Sequence, residues 1–285
     1  MGGRGDGIMR SIRAADLEKK VYRLLKELNL RFNPQVMERL CGSVEGEYHQ
    51  YFCELFRKNA EIAARASLPL CQDTGFVEFY VEVGRNVVLE EPVFKTLNRA
   101  VSNVYMEFPF RYSMVDPPLG PSKNTKDNTP TFVHVELTEG EGVSITAHVK
   151  GGGSENLTAL WMFLPTASEE EINNAIEDHI RSKGGRSCPP LHVGIGVGGS
   201  ADTALFMAKR ALLRNLGERS PIPFVARWEE KLFFRLNKLK IGVQGFGEGP
   251  TVLDVHILTQ PRHIAVLPVA VAVDCFLCRV GRVSL

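Results

Sequence analysis

Neither sign of charge is in excess in this 285-residue chain: 34 Lys and Arg stand against 33 Asp and Glu, a formal charge of +1. That balance lacks the basic surplus of a nucleic-acid binder, and with 44% hydrophobic residues the chain is too apolar to be disordered. Long hydrophobic runs are missing as well. The longest, Ile264 to Val273, is too short for a bilayer and is interrupted by Pro268, so it reads as a buried strand. The opening "MGGRGDGIMRSIR" has no apolar h-region, and Asp6 stands where myristoylation needs Ser or Thr. A cytoplasmic location without membrane contact is expected. Arg4-Gly5-Asp6 spells an adhesion tripeptide, but it reads as part of a flexible terminus over residues 1–10. Internal repeats and low-complexity linkers are also lacking, so residues 1–285 are expected to form a single α+β domain.

What is present is organised. From Ser11 to Leu30, Leu17, Val21, Leu24, Leu25 and Leu28 recur at the spacing of one helix face. Further helices are expected over 34–41 and 46–67, which makes residues 11–67 a helical N-terminal part. The texture then changes. "FVEFYVEVG", "TFVHVELTEG" and "GVSITAHVKGGG" alternate β-branched or aromatic residues with polar ones, the pattern of strands with one solvated face. Residues 115–131, "VDPPLGPSKNTKDNTPT", are too rich in turn formers for a regular element and read as a long loop. "SEEEINNAIEDHIRSKGG" carries helix start and stop signals, "LHVGIGVGG" reads as a buried strand, and "SADTALFMAKRALLRNL" as a helix capped by Ser200 or Asp202. The stretch "TVLDVHILTQPRHIAVLPVAVAVDC" is mostly strand.

Two glycine runs invite a nucleotide reading. Gly194, Gly196 and Gly199 satisfy G-x-G-x-x-G between a strand and a helix, but a dinucleotide site needs an acidic residue at the end of a strand about 20 residues later, and no strand precedes Glu218. A glycine turn that allows close approach at a helix start is the preferred reading, and an NAD-binding dehydrogenase is kept as an alternative. "KGGGSEN" lacks the G-K-[ST] ending of a P-loop. Its glycines read either as a hairpin turn or as backbone laid against a ligand.

Six cysteines, Cys41, Cys53, Cys71, Cys188, Cys275 and Cys278, are spread over a chain large enough not to need staples. In a reducing compartment they read as thiols, either buried and inert or acting as ligands and nucleophiles. Singly, each reads as a small buried hydrophobe. Together, Cys71, Cys188 and Cys275 lie at element junctions, and three such thiolates suit an iron–sulfur cluster with one iron left open. Their spacing matches no compact ferredoxin pattern, and Cys275 and Cys278 lack the second C-x-x-C of a zinc site.

The motifs "LPLCQDTG", "NTKDNTP", "KGGGSEN", "CPPLHVGIGVGGSADTA" and "RHIAVLPVAVAVDCFLCR", in this order over residues 68–279, carry a resemblance. The chain resembles the α subunit, or N-terminal catalytic domain, of iron–sulfur (class I) fumarate hydratases and the similar L-tartrate dehydratases. The resemblance implies a helical N-terminal region followed by a mixed strand and helix catalytic domain of the Fe–S hydro-lyase α type. It implies a [4Fe-4S] cluster held by Cys71, Cys188 and Cys275, with one iron not ligated by cysteine and acting as a Lewis acid. Cys278, one turn beyond Cys275, is the alternative third ligand. Gln72 and Asp73 would face the substrate, Asp73 as proton donor to the departing hydroxyl. Arg111 would clamp a carboxylate, Gly152 would offer backbone contact, and His263 would stand near the cluster as a relay.

The implied reaction is reversible hydration of fumarate to (S)-malate, a tricarboxylic acid cycle step, with conversion of L-tartrate to oxaloacetate as the nearest variant. A non-catalytic Fe–S carrier is a further alternative, favoured if Cys278 completed a four-cysteine set. Nothing after Cys275 supplies the second domain that such enzymes use. An obligate β subunit in an α2β2-type assembly is therefore expected, acting on a small dicarboxylate.

Overall fold

A computed structural model describes residues 9–285. Arg4-Gly5-Asp6 and most of the expected flexible terminus lie outside the described residues. In chain order the elements begin with β1 (Arg10–Ile12), α1 (Ala14–Leu30), α2 (Pro34–Cys41) and α3 (Glu47–Ala66). Next come β2 (Phe76–Gly84), β3 (Val87–Leu89), α4 (Val93–Glu107), β4 (Val115–Asp116), β5 (Lys123–Asn124), β6 (Phe132–Thr138) and β7 (Val143–Lys150). Then follow α5 (Gly152–Glu155), β8 (Ala159–Phe163), α6 (Glu169–Lys183), β9 (Leu191–Gly198), α7 (Ala201–Ala211) and α8 (Pro223–Asn237). The last are β10 (Val252–Gln260), β11 (Leu267–Asp274) and β12 (Val280–Ser284). This is the α+β class expected from the sequence.

The chain divides into two compact units, each assembled from separate segments: residues up to 31, 60–150 and 279–285 in the first, and 32–59 and 151–278 in the second. No helix among the described residues is long and apolar enough to cross a membrane.

In the first unit the sheet order is β12-β7-β2-β6, with β2 parallel to β6 and antiparallel to β7. The period of two in "FVEFYVEVG" sorts its faces. Val77, Phe79, Val81 and Val83 join Val143, Ile145, Ala147 and Val149 in a core covered by Leu17, Val21 and Leu25 of α1 and Leu97, Val101 and Val104 of α4. The opposite face carries Glu78, Tyr80, His148 and Lys150, all buried. The helical reading that began at Ser11 is corrected. Arg10–Ile12 is a strand paired in parallel with β3, and the helix starts at Ala14.

In the second unit the order is β10-β9-β11-β8. Leu191, Val193 and Ile195 of β9 face the apolar side of α6 and α8. Ala204, Ala208 and Leu212 on the α7 side pack with Ala270 and Ala272 of β11. Here Gly194 and Gly196 find their use: a Cβ on either would lie 2.1 Å from a backbone carbonyl, of Ala208 and Ala204 respectively. They are glycine because the α7 backbone rests directly on the strand. The helix over 169–183 starts from a capping box between Ser168 and Glu171. The buried run proposed from Ile264 is shorter than expected. β11 begins at Leu267, and Ile264 is exposed in the preceding loop.

A third apolar cluster in the second unit joins Val36, Leu40, Phe56, Val243, Leu253 and Cys278. Within it Cys41 and Cys53 form a disulfide. This corrects the reading of all six cysteines as thiols. The turn between α2 and α3 returns the chain so that the two Cα atoms come to 5.6 Å, a separation a disulfide spans.

Candidate active site and family

The turn Cys71-Gln72-Asp73-Thr74-Gly75 lies in the first unit, immediately before β2. Its side chains build it locally. The Asp73 carboxylate accepts the Gly75 N–H through Oδ1 at 2.9 Å, an Asx turn that points the carboxylate back over its own backbone. Gly75 has φ +71°, and a Cβ there would meet the Lys150 carbonyl at 2.4 Å, so only glycine fits. Thr74 is buried and donates to the Arg111 carbonyl at 2.5 Å. That bond ties Arg111, whose side chain is exposed, to the Asp73 turn. Cys71 and Asp73 are half-buried and Gln72 is exposed. Four residues singled out from the sequence, Cys71, Gln72, Asp73 and Arg111, are thus brought to one place.

Three residues with no role assigned from the sequence hold that turn. Arg279, almost fully buried, donates to the Asp73 carbonyl at 3.0 Å and to Asn29 Oδ1 at 3.2 Å. The Tyr105 hydroxyl donates to the Thr74 carbonyl at 2.7 Å, and burial pushes its pKa up to about 12. Asn128 donates to the Gly75 carbonyl at 3.0 Å and accepts the Ser113 N–H at 2.7 Å. The signal available in the sequence was position: Asn128 lies in "NTKDNTP", and Arg279 ends "CFLCR".

The second unit carries Gly152, Cys188 and Cys275 at one end of its sheet. Cys188 leaves the 3-10 turn Gly184–Ser187 in a left-handed conformation, φ 49°, ψ 65°, and is exposed. For a residue with a Cβ such a backbone costs on the order of 1 kcal/mol or more and persists only where the surrounding structure holds it. Cys275 follows Asp274, which pairs with His192 in the β9–β11 register. The Phe276 N–H donates to the Cys188 carbonyl at 3.4 Å, joining the two cysteine segments. Gly152 opens α5, which packs against the 3-10 turn and β11; a Cβ on the adjacent Gly153 would make an ordinary 3.6 Å contact with the Arg186 carbonyl.

His263 is placed elsewhere. It lies exposed in the loop after β10, whose Gln260 pairs with Gly198 at the far end of β9 from Cys188. About seven strand steps of roughly 3.3 Å separate those ends, so this unit does not bring His263 to Cys188 and Cys275.

Cys278 is buried in the third cluster, and its thiol donates to the Cys275 carbonyl at 3.4 Å. Burial, followed by the nearby Asp274 and Cys275, pushes that thiol well above its ordinary pKa. Among the described residues neither unit by itself gathers three or more His, Cys, Asp and Glu side chains into a metal site. The donor chemistry nonetheless suits an iron–sulfur group: Cys71, Cys188 and Cys275 lie outside the disulfide at loop positions that are exposed or half-buried.

The first unit thus offers a carboxylate turn beside an arginine, and the second offers two cysteines outside the disulfide at strand ends. Residues 18–284 match the family model described as fumarate hydratase (Fumerase), and the chain belongs to that family. A Methanocaldococcus jannaschii protein with the provisional name L(+)-tartrate dehydratase subunit alpha is 38% identical over 225 residues, 77% of this chain and 79% of that one. The L(+)-tartrate dehydratase subunit alpha of Escherichia coli is 30% identical over 236 residues, 82% of this chain and 76% of its own. One from Shigella boydii matches to the same extent. The chain is an enzyme subunit of the hydro-lyase class.

Proposed function

We propose that this chain is the α subunit of a [4Fe-4S]-dependent hydro-lyase that removes water from a 2-hydroxy dicarboxylate, with L-tartrate the first candidate and the fumarate–malate pair the second. The observation that carries the reading is the Asp73 turn. It presents a carboxylate fixed by the Gly75 N–H, next to a cysteine outside the disulfide and tied through Thr74 to Arg111. The names of the relatives favour tartrate and the family model's name favours fumarate.

Cys71, Cys188 and Cys275 supply the thiolates, with Cys278 set apart by its burial in the third apolar cluster. When bound, a cluster with one iron lacking a thiolate supplies Lewis acidity toward a hydroxyl and a carboxylate. The chain's own residues do the rest. Arg111 binds a substrate carboxylate through its planar fork, and Gln72 and the backbone at Gly152 orient the substrate. The Asp73 carboxyl holds the proton that leaves with the hydroxyl as water. The exposed His263 loop has no step in this scheme. A β subunit completes the enzyme in an α2β2-type assembly in the cytoplasm, supplying the group that takes the C3 proton.

The test is anaerobic reconstitution with iron and sulfide followed by assays of L-tartrate, fumarate and malate with the β subunit present. Cluster uptake lost in the Ala variants of Cys71, Cys188 and Cys275 but kept in Cys278→Ala, together with turnover of one dicarboxylate, is the expected result. Iron uptake that requires Cys278, or none at all, removes the reading.

A further inference from the structure

The outer strand of the first unit's sheet, β6, carries a pattern that the catalytic reading does not use. β6 lies at the sheet edge, parallel to β2. The Arg85 N–H donates to the Thr138 carbonyl at 2.8 Å, so the backbone of Thr138 faces β2. Lateral direction alternates along a strand, and Val133, Val135 and Leu137 therefore turn their N–H and C=O groups outward from the edge. Their side chains share the face of Phe79, Val81 and Val83, their partners in the register. Those three β2 residues are buried, while Val135 is 54% and Leu137 79% exposed. The α1 and α4 cover stops short of the rim.

Edge strands are normally protected by lysine, proline or a bulge. The outward-turned positions of β6 have none of these: all three are apolar. The apolar rim also extends onto α4. Asn98 accepts the Thr131 N–H at 2.9 Å beside the start of β6, and Phe94, one turn earlier on the same helix face, is half exposed.

We propose that β6 pairs antiparallel with β6 of a second copy of this chain, about a two-fold axis at Val135. A two-fold axis requires a self-complementary strand, since each residue meets its symmetry mate. Centred on Val135, the register sets Val133 opposite Leu137 and His134 opposite Glu136, so apolar meets apolar and base meets acid. The neighbouring face-preserving registers, centred on His134 or on Glu136, oppose like residues, His134 to His134 or Glu136 to Glu136, which disfavours them. His134 keeps its 3.0 Å bond to Glu78 in this pairing. The two sheets become one of eight strands, and the outward backbone groups of Val133, Val135 and Leu137 gain partners. The paired strands alone bury less than the roughly 800 Å² per partner of a typical stable interface. Association is therefore concentration-dependent, with Phe94 at its rim. The pairing deepens the α2β2-type assembly proposed above by naming the contact between its two copies of this chain, and its test reads exchange at β6 and not activity.

The full chain, alone and in complex with its β subunit, is measured by sedimentation and light scattering over a concentration series, together with hydrogen–deuterium exchange. The expected result is two copies of this chain per particle, with the amides of Val133, Val135 and Leu137 protected at high concentration and released on dilution. Val135→Pro, which removes the axial N–H, and Val135→Lys should each halve the mass at an unchanged circular dichroism spectrum. A single copy at every concentration, rapid exchange of those three amides within a dimer, or protection that appears only when the β subunit is added overturns the proposal. Should both variants misfold, the wild-type exchange pattern still decides.

Discussion

The guanidinium of Arg279 donates to the backbone carbonyl of Asp73 at 3.0 Å while its other terminal nitrogen donates to Asn29 at 3.2 Å. One buried arginine thus sets the height of the turn that carries the candidate acid. Replacing it with methionine leaves two buried acceptors without their donor, a loss of about 2–4 kcal/mol. Arg279→Lys retains the charge but not the fork and should fall between. Urea unfolding checks the stability, and steady-state kinetics should show kcat falling more than KM rises. A methionine variant that unfolds at the wild-type midpoint contradicts this account.

Asp73 has two separable duties. Its Oδ1 accepts the Gly75 N–H, which an amide does equally well, whereas proton delivery needs a carboxyl. Asp73→Asn is therefore expected to keep the wild-type melting temperature and cluster content and to lose activity by about 100-fold or more. Loss of fold together with activity would show that the side chain is mainly structural.

The Cys41–Cys53 disulfide closes a short loop, with a sequence separation of 12. Such a link stabilises by about 3 kcal/mol in the chain-entropy account. Thiol titration of the unfolded, unreduced protein should find four reactive cysteines, and added reductant should lower the melting temperature. Six titratable thiols without reductant would remove the staple.

The strands β2, β6, β7, β9, β10 and β11 and the helices α1, α2, α3, α6 and α7 were legible because runs of sequence neighbours set their period. The capping box at Ser168 and the bounds of α2 are local signals. The Cys41–Cys53 bond was not legible, since it depends on how a turn returns the chain. Neither was Arg279 as a positioning residue: its partners are 250 and 206 residues away in sequence. Asp73 could be singled out because its neighbours are consecutive. The placement of His263 required the register of β10 on β9, which no local pattern encodes.

Gly196 is legible as a turn glycine but serves as a packing one. A Cβ there lies 2.1 Å from the Ala204 carbonyl and 2.8 Å from the Ala208 nitrogen, both backbone atoms that cannot rotate away. Gly196→Ala must push α7 off the sheet, a loss on the order of 3 kcal/mol. Gly153→Ala, which meets only the ordinary 3.6 Å contact, should be close to neutral. Paired chemical denaturation curves compare the two, and equal midpoints would refute the packing argument.

Asp254 supplies the clearest dependence on pH. Its carboxylate is fully buried in the second unit. It accepts from Arg219 at 2.6 Å and from the Gly217 N–H at 2.5 Å, and faces His256, which is bonded in turn to His192 at 2.8 Å. Burial pushes the carboxyl up, but the nearby His256 and the bonds from Gly217 and Arg219 outweigh it and hold it well below the usual carboxylate range. A group whose folded pKa is lowered stabilises the fold fully above its unfolded value, near 4, and loses that contribution as pH falls toward the folded one. Asp254→Asn removes the charge while Arg219 stays, which should cost about 3 kcal/mol at pH 7. As pH falls below about 4 the wild type surrenders the same contribution and the two stabilities should converge. Denaturant midpoints of both proteins across that range provide the check. A gap that stays constant, or widens in acid, would mean that Asp254 is protonated in the folded chain at neutral pH.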